Sequence, residues 1–327
     1  MDKVSIVVPI YNAGAFLENT IKSILNQTYN NWELLLIDDC SEDNSSDICL
    51  FYQNQDKRIS LMKNEFNLGS AATRNRGLKV ATGKYIVFVD SDDTIEPNYL
   101  ECLYKNIDKY NVDIVWCNYK ECLPDGTFQV RKHKLPIHKI LNSKDILPLY
   151  FTNHTDGLGS MWNKIYKIEF LRKNDLLIDE RMAIGEDWNF NLDAFQKPIA
   201  LVAINDSLYN YIRQNQTSIM NSFHENHFEL MCEMSQKLLC ISERNNISYD
   251  SNIFWLSFLY NSLSFLHKAV KNGKDKDYVK EICNNVLFRK SLKEIKHISS
   301  LGLFYGIVLW TIRLQLFSIT IFILSKK

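Results

Sequence analysis

Between residues 4 and 117 the chain repeats one pattern: a short, β-branched apolar run, then a stretch with helical spacing. Residues 4–8 form the first run, nearly continuous in its apolar character, as a strand buried on both faces requires. Pro9 closes it, and Leu17, Ile21 and Ile24 then make an apolar stripe that predicts a helix over about 13–27. Residues 33–37 are the second strand and stop at Asp38-Asp39; Ser41 is placed to cap the helix that follows. Residues 59–62 are the third strand, and 70–81 a helix closed by Gly83. Residues 84–89 are the fourth strand, running straight into Asp90-Ser91-Asp92-Asp93. A helix over 97–110 and a strand over 112–117 complete the series. Alternating strands and helices predict an α/β fold with a mostly parallel sheet flanked by helices.

Ligands in such sheets bind beyond the carboxyl ends of the strands. That rule selects Tyr11-Asn12, Asp38-Asp39 and residues 90–93, which should converge on one crevice. Lys plus Arg equals Asp plus Glu at 38 each, so overall charge gives no case for nucleic acid as a partner. The eight cysteines include no C-x-x-C pair and sit mostly in apolar runs, which reads as buried thiols rather than disulfides or a zinc site. The run at 4–10 is too short for a secretion signal and contains a proline.

Three carboxylates in four residues at the mouth of a sheet repel one another. A divalent cation relieves that repulsion, and oxygen-only ligands suit Mg²⁺ or Mn²⁺, ions that share their coordination with phosphates and water. The alternative is a solvated turn in which Asp92 or Asp93 caps the next helix; position after a buried strand favours the cation. Glu186-Asp187 is a second pair of adjacent carboxylates, which from the residues alone reads as a helix N-terminus that favours negative charge.

The chain resembles the family-2 glycosyltransferases, inverting enzymes of the GT-A fold, over roughly its first 220 residues. The resemblance rests on an ordered set of motifs: Val-Pro-Ile-Tyr-Asn at 8–12, Ser-Ile-Leu-Asn-Gln-Thr-Tyr at 23–29 and Leu-Ile-Asp-Asp-Cys-Ser at 36–41. Asn67-Leu68-Gly69, Ala-Thr-Arg-Asn-Arg-Gly at 72–77, Gly-Lys-Tyr-Ile at 83–86, the acidic cluster and Gly185-Glu186-Asp187 follow. It implies a UDP-sugar donor, with Pro9, Tyr11, Asp39, Arg74, Asp90 and Ser91 about the nucleotide. Tyr11 would lie against the uracil, and Asp39 would accept a hydrogen bond from base or ribose. Asp92, with Asp90, would hold the metal, Mn²⁺ or Mg²⁺. Asp187 would be the base and Glu186 would position the acceptor, a glycan or lipid-linked glycan of bacterial surface polysaccharide synthesis. Asp93, Trp162, Lys164 and Arg213 are further candidates for sugar or diphosphate contact; for each, a plain core or strand role is the alternative.

Three other functions fit less well. A nucleotidyltransferase needs a Gly-rich, basic phosphate loop after the first strand, and a dinucleotide-binding dehydrogenase needs G-x-G-x-x-G there; residues 9–12 supply neither. A non-catalytic partner of the same fold has no need of both carboxylate constellations.

The expected organisation is a catalytic domain over 1–222, with a nucleotide half at 1–117 and an acceptor half at 118–222. A helical extension over 223–298 and an apolar segment over 299–327 follow. That last segment is interrupted by Arg313 and Gln315. Spanning a bilayer, lying in its interface with Arg313 reaching the headgroups, and being a buried helix in a homodimer or in the helical domain are its three readings. Membrane association is favoured, which puts the protein on the cytoplasmic face of a bacterial inner membrane.

Overall fold

The computed structural model describes residues 1–152, 157–213, 223–295 and 302–326. They fall into two compact units, Met1–Leu147 with His154–Gln216, and Pro148–Asn153 with Thr217–Lys327.

The first unit opens with β1 (Val4–Ile10), α1 (Leu17–Leu25), β2 (Trp32–Asp38), α2 (Ser45–Gln55), β3 (Ile59–Lys63), α3 (Ser70–Val80) and β4 (Tyr85–Phe88). It continues with β5 (Thr94–Ile95), α4 (Tyr99–Tyr110), β6 (Ile114–Cys122), β7 (Phe128–Arg131), β8 (Ile140–Leu141) and α5 (Ser143–Ile146). After it come β9 (Lys164–Lys167), α6 (Ile168–Lys173), α7 (Glu186–Phe195) and β10 (Leu201–Ile212).

The sheet runs β3-β2-β1-β4-β9-β6-β10-β5, with β7 on β6 and β8 on β10. β3, β2, β1 and β4 are mutually parallel, and their side chains are the β-branched runs of the sequence. Beyond them the sheet is mixed. β9 lies antiparallel between β4 and β6, while β6 and β10 are again parallel to each other. β9 is only four residues long and is preceded by a loop rather than a crossover helix, so it carried no strand–helix signature.

Leu17, Thr20, Ile21 and Ile24 bury one face of α1, and this stripe packs in the core with Ile6, Val8, Leu34 and Leu36. α1 starts at Leu17 rather than near 13, because the backbone of Ala13 and Gly14 donates instead to the Ser45 hydroxyl and the Asp43 carboxylate. Gly77 lets α3 lie directly on β1: a Cβ there would stand 2.4 Å from Val7 Cγ1.

The second unit is helical. Its helices are α8 (His227–Asn245), α9 (Ser251–Lys271), α10 (Lys276–Asn284), α11 (Val286–Glu294), α12 (Gly302–Arg313) and α13 (Phe317–Ser325). α9 is its central member, burying Trp255, Phe258, Leu263 and Leu266, and it packs against α11 and α13. No helix among the described residues is long and apolar enough to cross a membrane.

Candidate active site

β1 and β2 end side by side, Ile10 opposite Asp38, so the segments after them emerge together. Both then turn through left-handed backbone, Asn12 at φ 48° and Cys40 at φ 63°, and they are laced to each other. The Asn12 N–H donates to Ser41 Oγ at 3.0 Å, and the Glu42 N–H donates to Asn12 Oδ1 at 2.9 Å. Tyr11 stands on this rim half exposed, at 49%, an aromatic face left open to a planar ligand. Pro9 lies one residue inside the strand end, opposite Ile37.

Asp39 is buried, and its carboxylate gathers the start of α3. Oδ1 accepts from Asn64 Nδ2 at 2.7 Å and the Leu68 N–H at 2.9 Å, and Oδ2 accepts from the Gly69 N–H at 2.8 Å. Gly69 precedes α3 at φ 86°, a conformation a side chain would strain. Asp39 is therefore already a ligand of the protein backbone, which its sequence position did not reveal.

The turn after β4 is held from two sides. The Thr20 hydroxyl on α1 lies 3.0 Å from the Ser91 carbonyl and 2.7 Å from that of Asp93. From β10, the Tyr209 hydroxyl donates to Asp93 Oδ2 at 2.7 Å and accepts from the Asp90 N–H at 3.1 Å. The Ile212 N–H donates to Asp93 Oδ1 at 2.7 Å. Both oxygens of Asp93 thus face inward. Burial, followed by the charges of Asp90 and Asp92, raises its pKa well above the ordinary carboxylate value, against the two hydrogen bonds it accepts. Asp93 is a pin for the turn, whereas Asp90, Ser91 and Asp92 remain half-buried at its surface.

Arg74 joins the two carboxylate constellations. It is 9% exposed; one terminal nitrogen donates to Asp90 Oδ1 at 2.7 Å and the other to Glu186 Oε1 at 2.9 Å. Ser70, one turn earlier on α3, donates to the same Glu186 oxygen at 2.7 Å. Among the described residues the buried Arg74 Nε has no hydrogen-bond partner. The sequence carries no sign of this bridge: 112 positions separate Arg74 from Glu186.

Glu186 and Asp187 open α7 after Gly185, whose φ of 82° makes the turn into the helix. The helix is fixed by Asn191, which donates to the Gly159 carbonyl and accepts from the Tyr166 hydroxyl. Gly159 has no room for a side chain, since a Cβ would stand 2.2 Å from Trp188 Cδ1. Asp187 lies deep beside the Arg74–Glu186 pair while keeping part of its surface open. Burial first, and the Glu186 charge second, push its carboxyl up to about 7; Arg74 and the Trp188 N–H act in the opposite direction. A carboxylate poised near neutrality suits a general base.

The remaining candidates divide. Trp162 is 9% exposed and stacks on Tyr209 at 4.4 Å, so it backs the ring that holds Asp93. Lys164 is fully buried, donating to the carbonyls of Gly157 and Ser160 and to Asn163 Oδ1 at 2.7, 2.6 and 2.9 Å. All three ammonium hydrogens are thus spent inside the protein, and burial lowers its pKa well below the usual lysine value. Arg213 is exposed and pairs with Glu121 at 2.8 Å; its neighbour Gln214 lies outside the described residues. Tyr209 and Ser70, by contrast, were not singled out by sequence. Each meets its carboxylate partner, Asp93 or Glu186, across 116 positions, a separation that leaves no signal in spacing.

Among the described residues no three His, Cys, Asp or Glu side chains are grouped as a ready-made metal cage. The donor set still fits a hard cation of the kind that shares its coordination. Asp90 and Asp92 offer carboxylate oxygen, Asp93 is committed elsewhere, and Mg²⁺ or Mn²⁺ completes its shell with phosphate oxygens and water.

A model of glycosyl transferase family 2 matches residues 5–180, more than half of the chain. The uncharacterized glycosyltransferase EpsJ of Bacillus subtilis is 32% identical over 217 residues, 66% of this chain and 62% of that protein. Glycosyltransferase GlyA of Streptococcus pneumoniae is 35% identical over 66% of this chain but only 32% of its own length. An Escherichia coli protein, the UDP-Glc:alpha-D-GlcNAc-diphosphoundecaprenol beta-1,3-glucosyltransferase WfgD, is 44% identical over 36% of this chain and 46% of its own. The chain thus spans less than two thirds of each of these relatives. In three dimensions it is similar to residues 1–349 of S. aureus TarS, crystallised in complex with UDP-GlcNAc, at a TM-score of 0.65 and 20% identity. That likeness covers 99% of this chain and 90% of the other, and supports the GT-A fold. The protein belongs to glycosyl transferase family 2.

Proposed function

We propose that the chain is an inverting glycosyltransferase that moves a sugar from a UDP-sugar to a hydroxyl of a glycan or lipid-linked glycan in bacterial surface polysaccharide synthesis. The observation that carries this reading is the Arg74 bridge: one guanidinium ties the acidic turn after β4 to the carboxylate pair at the start of α7. A donor-side constellation and an acceptor-side constellation thereby share one site. The UDP-GlcNAc complex of TarS and the UDP-Glc in the name of WfgD support UDP-sugars as the donor class.

Tyr11 would stack on the uracil, Pro9 would support the strand end beneath it, and Asp39 and Ser91 would meet base or ribose. Asp92, with Asp90, would hold Mn²⁺ or Mg²⁺, which when bound supplies positive charge against the departing diphosphate. Asp187 takes the acceptor proton as the hydroxyl oxygen bonds to the anomeric carbon. The bond from that carbon to the diphosphate oxygen breaks with its electron pair, releasing UDP and inverting the centre. Glu186, held at one oxygen by Arg74 and Ser70, positions the acceptor with the other. Arg74 keeps Asp90 and Glu186 in register while this happens. A lipid-linked acceptor would bring the protein to the cytoplasmic face of the inner membrane, with the C-terminal segment associating there.

The test is a screen of UDP-sugars for hydrolysis with and without Mn²⁺ or Mg²⁺, following UDP release. One UDP-sugar should be turned over, faster with metal, and D187N should lose that turnover. No turnover of any UDP-sugar, together with no UDP binding by calorimetry, would overturn the assignment.

A further inference from the structure

The C-terminal pair α12–α13 of the second unit has an outward apolar face that stays exposed among the described residues. The helices turn on residues 314–316, with Gln315 at φ 58°, and are tied by a buried contact of 2.9 Å between the Thr311 and Thr320 hydroxyls. Tyr305, Val308, Leu309 and Ile312 of α12, and Phe317 and Leu324 of α13, are buried. On the other side Leu303, Ile307, Trp310 and Leu314 recur at helical spacing, and Ile319 and Phe322 continue the face on α13. Leu303 is 84% exposed, Trp310 61% and Phe322 62%. A row of large apolar side chains this open is a binding surface rather than ordinary scatter.

Its charge says what it binds. Residues 302–326 contain no acid, and Arg313 and Lys326 are exposed on their margin. The guanidinium of Arg313 reaches the Leu292 carbonyl of α11 at 3.5 Å, and α11 exposes Arg289, Lys290 and Lys293 against the single acid Glu294. Apolar residues with a tryptophan, in a segment whose charged side chains are all cations, match the boundary between acyl chains and anionic headgroups. Length decides the depth. α12 has 12 residues, so at about 1.5 Å per residue it is roughly 18 Å long, short of a hydrocarbon core of about 30 Å.

We propose that the α12–α13 hairpin lies flat in an anionic lipid surface, its Leu303–Trp310–Phe322 face in the acyl boundary and the α11 cations over the headgroups. This deepens the membrane-side reading given above, but its test does not depend on activity. The full chain is floated with vesicles of phosphatidylglycerol and phosphatidylethanolamine and, separately, of phosphatidylcholine alone. It should rise with the anionic vesicles, lose most of that binding at high salt, and bind phosphatidylcholine at least ~10-fold more weakly. The variant L303S/W310S/F322S should stay at the bottom while keeping its circular dichroism and UDP-sugar hydrolysis. R289Q/K290Q/K293Q should lose only the preference for anionic lipid. A full chain that does not float, or an apolar-face variant that floats as well as the parent, overturns the proposal. So does a parent dimer that the same variant turns into a monomer without floating, since the face then joins two copies. Flotation with no hydrolysis of any UDP-sugar would instead count against the glycosyltransferase reading alone.

Discussion

Arg74 holds Glu186 at 2.9 Å while its other terminal nitrogen holds Asp90 at 2.7 Å, so a residue of α3 sets the spacing between the two acidic constellations. A lysine keeps the charge but cannot present two fixed nitrogens to two carboxylates. R74K should therefore lower kcat/KM by roughly 10²-fold, a misplacement effect. R74Q also removes the charge that holds the Asp187 pKa down, so the acid limb of its pH–rate profile should move to higher pH. An R74Q profile with an unmoved limb would show that the bridge does not reach the base.

Asp187, with its carboxyl pushed up to about 7, would serve as the proposed base only above that pH. The kcat/KM profile should rise through about 7 and level off beyond it. D187N should lose ~10²–10⁴-fold in transfer while binding UDP nearly as well as the parent. Wild-type rates in D187N would remove Asp187 from the mechanism.

The same residue links activity to stability. Its folded pKa lies above the ordinary 3.8, so the folded protein holds this proton more tightly than the unfolded chain does. That contribution is full below the ordinary value and is lost as pH rises through about 7. At pH 8 the buried charge is a burden that D187N lacks. Its melting temperature should therefore exceed the parent's by a few degrees at pH 8 and match it near pH 4, as differential scanning calorimetry can read.

Tyr209 satisfies Asp93 and the Asp90 N–H with one hydroxyl. Y209F leaves both without that partner in a buried place, a cost of about 1–3 kcal/mol. Urea denaturation should show the loss, and UDP affinity in the presence of Mn²⁺ should fall with it because the turn slackens. Unchanged stability would mean that Ile212 alone suffices to pin Asp93.

For the metal, calorimetry of UDP with and without Mn²⁺ separates Asp92 from its neighbours. Mn²⁺ should tighten UDP binding by ~10-fold or more in the parent, as shared phosphate coordination implies, and by far less in D92A. Equal enhancement in D92A would assign the ligand elsewhere in the turn.

The elements legible in advance were those whose physics is local. Buried parallel strands write continuous β-branched runs, so β1 to β4 and the helices between them could be read with boundaries a few residues off. β9 could not, because a four-residue strand entering antiparallel between two others has no periodicity to betray it. The same division runs through the site. Strand-end positions marked Asp39 and the acidic turn, but not that Asp39 spends three acceptances on the backbone and side chain of 64–69. Lys164 looked available beside Trp162 until burial showed its ammonium enclosed by carbonyls. Long-range pairings such as Ser70 with Glu186 leave no trace in spacing.

The clasp that Asp39 makes on Leu68 and Gly69 bears on redesign of donor preference. Retargeting to another nucleotide would ordinarily begin with the carboxylate that reads the base. On the proposed reading that carboxylate is Asp39, which also seats the helix carrying Arg74, so recoding it would unsettle the alignment of Asp90 with Glu186. On the same reading Tyr11, half exposed on the rim, would be the position where selectivity can be edited without disturbing that alignment.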